Sequence, residues 1–136
     1  MLFQKNKCNK FIRINRETKG YQLRMSYEAN EATIQLVKAD FFLVKLDDTA
    51  VASAMIFYVA EGIVQVIYWG DLPGYNDQKV MNYLSYQLVS HYIDKGMKIL
   101  DIGPSSENST PNFGLCDFKE GIGCVIDPKI TWTLKL

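Results

Sequence analysis

The sequence predicts a mixed α/β domain, and three features carry that reading. Three β-rich runs, 41–46, 50–60 and 63–69, follow one another with only short turn segments between them. That is the pattern of an antiparallel meander. A helix-periodic stretch comes next, with Val80, Leu84, Leu88 and Tyr92 on one stripe widened by Met81 and Val89. It leads into a short strand, 98–103, which makes the helix a crossover to a parallel neighbour. A meander feeding a crossover gives a mixed sheet with helices packed on it.

The totals agree with one globular domain. The chain has 136 residues, 48% hydrophobic and 22% charged, so it can bury a core without metals or disulfides. Fifteen basic residues balance fifteen acidic ones, so no net charge pulls the chain toward nucleic acid or an anionic membrane. The stretch from Lys5 to Arg24 is the one locally basic segment. Cys8, Cys116 and Cys124 are odd in number and widely spaced, which argues against a disulfide scaffold and a structural zinc site. We expect reduced thiols, no metal, and a cytoplasmic location. No apolar leader opens the sequence and no apolar run reaches 18 residues.

The elements follow in order. Residues 1–20 read as a loosely ordered lead-in or an edge strand, and 21–136 as a single domain. Tyr21–Met25 suggests a short strand. Glu28–Lys38 reads as a helix, with Ala29, Ala32, Leu36 and Ala39 recurring at three- and four-residue spacing and Ser26 or Asn30 as the cap. Asp47-Asp48 and Glu61-Gly62 mark the turns of the meander. Both faces of these runs are apolar, so helices should cover both sides.

Gly70–Asn76 holds two glycines and a proline and must be a loop. Asn76 or Asp77 is the expected N-cap of the following helix, and Lys95-Gly96 its end. Residues 104–112 form a polar loop, and loops of that length in a small domain are often functional. Phe113–Glu120 reads as a short helix. The last segment alternates, with Ile130, Trp132, Leu134 and Leu136 facing one way, as a half-buried strand would.

One segment resembles a known family. Leu100-Asp101-Ile102-Gly103, Ser105-Ser106-Glu107-Asn108, Asn112-x-Gly114-Leu115, Phe118-Lys119-Glu120 and Gly123 resemble the C-terminal signature of the Fem-like branch of the GNAT acyltransferase superfamily. The order of elements resembles the later two-thirds of that fold. The resemblance implies a GNAT-like acyl-CoA N-acyltransferase fold, shortened at its N-terminus. It implies acetyl-CoA or another acyl-CoA as donor. The acceptor would be a small amine, for example an amino sugar or amino acid, attacking directly with no covalent enzyme intermediate.

Residue by residue, it places the donor at the 70–76 loop and the helix that follows, since a helix N-terminus suits an anion. Gly70, Gly74, Tyr75, Asn76 and Lys79 are the donor candidates. The superfamily's pyrophosphate loop usually reads Arg/Gln-x-x-Gly-x-Gly/Ala. Here it is Trp69-Gly70-Asp71-Leu72-Pro73-Gly74-Tyr75-Asn76, with no basic residue and an aspartate, and Lys79 is the nearest compensating cation. Glu107 is the candidate base that would take a proton from the amine. Lys119 would stabilise charge on the attacked carbonyl. Tyr68, Trp69, Ser105, Ser106, Asn108 and Phe118 are candidate acceptor contacts, with core packing the competing reading for Tyr68 and Trp69. His91 lacks a partner for metal or triad chemistry and reads as a packing residue.

Two other functions stay open at this point. One is a Fem-like transfer of an amino acid from aminoacyl-tRNA. The other is a non-catalytic binding domain that kept the fold and lost the donor loop. The sequence leaves the acceptor and the oligomeric state undetermined.

Overall fold

A computed structural model describes residues 5–18, 20 and 25–135. The elements in chain order are α1 (Lys5–Thr18), α2 (Tyr27–Leu36), β1 (Ala39–Leu46), β2 (Thr49–Ala60), β3 (Ile63–Asp71), a 3-10 turn (Asn76–Gln78), α3 (Val80–Asp94), β4 (Ile99–Asp101), β5 (Ser106–Glu107), β6 (Thr110–Pro111) and α4 (Phe113–Gly121). The chain divides into two compact units, 1–103 and 104–136.

In the first unit, β1 to β4 form a mixed sheet in the order β1-β2-β3-β4 among the described residues. The β1–β2 and β2–β3 pairs are antiparallel, and β3–β4 is parallel. The β1–β2 hairpin turns on Asp47 and Asp48, both at positive φ (47° and 64°). That left-handed pair matches the twist of the flanking strands. α3 is the crossover that makes β4 parallel to β3.

The core lies on both faces of β2. On one face Val80, Leu84, Leu88 and Tyr92 of α3 pack against Ala52, Ala54 and Ile56 of β2 and Val64 and Val66 of β3. On the other face Cys8 and Ile12 of α1 pack against Met55, Phe57 and Tyr68. The Cys8 thiol sits against the backbone carbonyls of Phe42 and Ala54, and burial pushes its pKa up to about 11. It therefore remains a thiol at neutral pH.

Several elements differ from expectation. Residues 5–18 form a helix rather than a lead-in or edge strand. Cys8, Phe11, Ile12 and Asn15 are its buried positions, a helical spacing that its many polar residues obscure. Tyr21–Arg24 lie outside the described residues, so the strand expected there is not addressed, and Met25 is in a bend. Ser26 does cap α2, accepting a hydrogen bond from the Ala29 amide. Yet Ala29, Ala32 and Leu36 face solvent, and Asn30, Ile34 and Val37 turn inward instead.

In the second unit, part of the 104–112 loop is a small hairpin. β5 pairs with β6 around a turn at Asn108 and Ser109 (φ 47° and 64°). Asn112 caps α4 by accepting from the Leu115 amide at 3.0 Å. Residues 130–135 form no strand, and Ile130, Trp132 and Leu134 are exposed. Alternation alone makes no strand without a partner edge.

No helix among the described residues is long and apolar enough to cross a membrane.

Candidate functional site

The first unit contains a fork between two strands. β3 and β4 pair over three rungs, Ile63 with Ile99, Val64 with Leu100 and Gln65 with Asp101. There the pairing stops. β3 continues to Asp71 with β2 on one side and no further strand on the other among the described residues. Gly103 lies just beyond β4 at φ +76°, a conformation that favours glycine. Asp101 spans the base of the fork. Its Oδ2 accepts from Gln65 Nε2 at 3.0 Å, and its Oδ1 accepts from the Gly103 amide at 2.8 Å.

A β-bulge shapes the open arm. Met55 pairs with Tyr68 and Ile56 with Val66, so Ile67 is an extra residue on β3. The bulge shifts the alternation. Val66 and Trp69 face α3, whereas Tyr68 faces α1. Tyr68 is buried with the Arg16 guanidinium 5.4 Å from its ring centre. Tyr68 and Trp69 thus lie on opposite faces of the sheet and do not line one pocket together.

The loop after β3 leads to the start of α3. The Leu72 amide donates to Val51, which carries the pairing one residue past β3. Gly74 is at φ +91° in open space, so backbone conformation accounts for it. Gly70 has a different reason. The space a side chain would take is filled by Asn15 of α1, whose Nδ2 donates to the Asp71 carbonyl. Tyr75 is half-buried against the α3-side core.

Neither Asn76 nor Asp77 caps α3. They belong to the 3-10 turn, and Lys79 is the cap residue. Lys79 has left-handed backbone angles, φ 49° and ψ 38°, and no side chain caps the helix there. The first helical bond runs from the Tyr83 amide to the Lys79 carbonyl at 3.1 Å. The amides of Val80, Met81 and Asn82 therefore have no partner within the helix. The positive end of the helix dipole and the exposed Lys79 side chain meet at this point. With Asn76 or Asp77 expected as the cap, Lys79 would lie inside the helix, but it stands immediately before it.

The remaining predicted residues belong to the second unit. Ser106, Glu107 and Asn108 are exposed on the hairpin, and Ser105 precedes it with its carbonyl accepting from the Asn112 amide at 2.8 Å. Phe118 is half-buried on α4. Lys119 is buried, with 6% exposure, and its Nζ donates to the Pro104 carbonyl at 2.9 Å.

A second polar cluster lies at the far end of α3. Asp40 Oδ2 accepts from Tyr58 OH (2.7 Å), Tyr92 OH (3.1 Å) and Lys95 Nζ (3.0 Å), and Lys95 also donates to Tyr58 OH at 2.9 Å. His91 Nε2 is 3.9 Å from Asp40 Oδ2 and has no hydrogen-bond partner among the described residues. The His91 ring meets Phe42 and Tyr92 edge-on. Burial raises the Asp40 pKa, but the hydrogen bonds from Tyr58 and Lys95 outweigh it and hold it below the ordinary value. Burial and the nearby Lys95 charge lower that of His91. Sequence reading missed this cluster, and also Asn15, Gln65 and the side-chain role of Asp101. Apart from the local bond of Asp101 to the Gly103 amide, each pairs residues distant in sequence that only the fold brings together.

The chain as a whole has counterparts among solved structures. Aminoglycoside antibiotic 6'-N-acetyltransferase AAC(6')-Ih from Acinetobacter baumannii superposes with a TM-score of 0.69 at 9% identity, over 100% of this chain and 96% of that one. The chain has the GNAT fold. AAC(6')-Iy, solved with a CoA bisubstrate analogue, matches with a TM-score of 0.68 at 15% identity over 97% of this chain and 93% of that one. An aminoglycoside acetyltransferase from an uncultured soil metagenomic sample, in complex with sisomicin, matches at 0.66 and 17% identity over 96% and 91%. No protein-family model matches the sequence, and no curated protein matches it.

Proposed function

We propose that this chain is an N-acyltransferase that moves an acyl group, acetyl in the simplest case, from a CoA thioester to a small amine. The observation that carries the reading is the fork of β3 and β4 beside the uncapped start of α3. An open strand edge offers backbone donors and acceptors to an extended, amide-bearing chain. Unpartnered helix amides and a lysine offer a phosphate both hydrogen bonds and charge. A CoA thioester has an amide-bearing arm and a pyrophosphate. Neighbours of this fold have been solved with CoA and with a CoA bisubstrate analogue.

In the reaction the neutral amine attacks the thioester carbonyl. The C–N bond forms, the C–S bond breaks, and the thiolate leaves and takes up a proton. Gly74, Tyr75, Asn76 and Lys79 form the donor loop of this proposal. The sequence motif, and not any placement against the donor loop, makes Glu107 the candidate base and Ser105, Ser106 and Asn108 candidate acceptor contacts. The buried amine of Lys119 holds the Pro104 carbonyl, which suits a supporting role better than charge stabilisation. An amino-sugar acceptor is the first to test, since neighbours include aminoglycoside acetyltransferases. Placement in the Fem-like branch rests on the Leu100–Gly123 motif alone.

One observation favours a second reading, a non-catalytic binding domain. Asp77 stands in the turn before α3, and the left-handed cap residue is a lysine where glycine would be unstrained.

Titration with acetyl-CoA followed by a free-thiol assay over an amine panel tests the proposal. Saturable donor binding with amine-dependent thiol release supports it. Donor binding without turnover favours the second reading. No binding at millimolar acetyl-CoA overturns the CoA-dependent function.

A further inference from the structure

We propose that Asp101 is a positioning residue that sets where β3 and β4 part, and thereby the shape of the donor cleft. The inference rests on the acyl-CoA reading above. Parallel strands pair on as long as each next residue offers its amide and carbonyl to the ladder. Here the ladder ends at Gln65 and Asp101. The Asp101 side chain acts on both sides of that end.

One carboxylate oxygen takes the Gln65 side-chain amide and ties the last rung across to β3. The other takes the Gly103 backbone amide two residues on. This local bond competes with the sheet, because the amide it holds cannot also extend a ladder. Gly103 completes the turn at φ +76°, where a β-carbon would still be only 4.0 Å from the Val66 carbonyl. The strands are thus close at the base of the fork, and a chain inserted between them depends on where they separate. One carboxylate closes the final rung and prevents the next.

Asp101→Ala removes both bonds. Asp101→Asn keeps an acceptor for Gly103 and an amide that a flipped Gln65 can meet. Gln65→Leu removes only the arm to β3. Hydrogen exchange of the Gly103 and Val66 amides is read in the full-length variants beside their melting temperatures. Acetyl-CoA binding, donor KM and kcat are measured on the same samples.

We expect Asp101→Ala to speed Gly103 exchange and to weaken donor binding by about tenfold, the effect of losing one charged hydrogen bond. Acceptor KM should stay unchanged. Asp101→Asn should restore donor binding to within about threefold of wild type, with Gln65→Leu falling between. Unchanged Gly103 exchange in Asp101→Ala overturns the pin. So does unchanged donor binding in that variant when the wild type binds. A wild type that binds no acetyl-CoA overturns the proposed function instead, and the exchange arm still decides whether Asp101 holds the fork.

Discussion

Asn15 of α1 occupies the space where a side chain on Gly70 of β3 would lie. A β-carbon at Gly70 would meet the Asn15 amide carbon at 2.7 Å, and the Asn15 side chain is bound to the Asp71 carbonyl. The helix and the end of the open strand are locked together at the mouth of the fork. Gly70→Ala should cost about 1–3 kcal/mol, the usual cost of overpacking a closed site. Asn15→Ala should cost about 1–3 kcal/mol from the lost buried hydrogen bond. The double variant should cost less than the sum, because removing Asn15 clears the clash. Urea denaturation of the four proteins measures this directly, and strict additivity would show that the two residues do not share a site.

Lys79 offers an opposite case. It holds a left-handed backbone at the start of α3, and a lysine there is strained. Lys79→Gly should raise stability by about 0.5–1 kcal/mol, because relief of strain exceeds the added chain entropy. The same change removes the cation beside the uncapped amides and should weaken acetyl-CoA binding severalfold, more at low salt than at high. A gain in stability with unchanged donor affinity would take the Lys79 side chain out of the donor site.

How much of this was readable beforehand follows from the range of the interactions. The meander and the crossover helix come from local pattern and turn residues, and the structure keeps both, whereas of the 70–76 loop it keeps 72–75, since Gly70 and Asp71 end β3 and Asn76 opens the 3-10 turn. The bulge at Ile67 was not readable, because it depends on the register between β2 and β3. It is also what puts Val66 and Trp69, three residues apart, on the same face. α1 escaped notice because Cys8, Phe11, Ile12 and Asn15, its buried positions among the described side chains, sit in a sequence rich in lysines, arginines and asparagines. The strand expected at the C-terminus shows the converse, since a clean period of two forms no strand in residues 130–135.

The Asp40 cluster predicts how stability depends on pH. Asp40 titrates below its ordinary value of 3.8, so its contribution is present above that pH and is lost as pH falls through the lower folded value. Lys95 is raised above 10.5 by the Tyr58 hydroxyl and by Asp40, so its contribution is present below 10.5 and is lost as pH rises through the higher folded value. His91 is lowered below 6.5, so the folded chain takes up its proton late. Stability should begin to fall as pH drops below about 6.5, ahead of the loss from Asp40. In His91→Asn that first phase should vanish while the second persists. Melting temperatures from about pH 2 to 8 separate the two, and an unaltered profile in the variant would assign the first phase to another group.

Lys119 and Glu107 differ in burial, and that difference separates structure from chemistry. Lys119 is buried on α4 with its amine on the Pro104 carbonyl, whereas Glu107 is exposed at the hairpin. Lys119→Met keeps the apolar stem and removes the donor, so it should cost about 1 kcal/mol. Lys119→Ala also leaves a cavity and should cost about 2–3 kcal/mol. Assayed well below their melting temperatures, both should retain most of the wild-type kcat. A fall of about a hundredfold in Lys119→Met at unchanged stability would return the amine to the reaction as a charge stabiliser. Glu107→Gln should change stability by less than about 0.5 kcal/mol, as exposed substitutions do. If Glu107 takes the amine proton, kcat should fall about a hundredfold, and raising the pH to deprotonate the acceptor should recover part of the loss. Full activity in Glu107→Gln would remove it as the base.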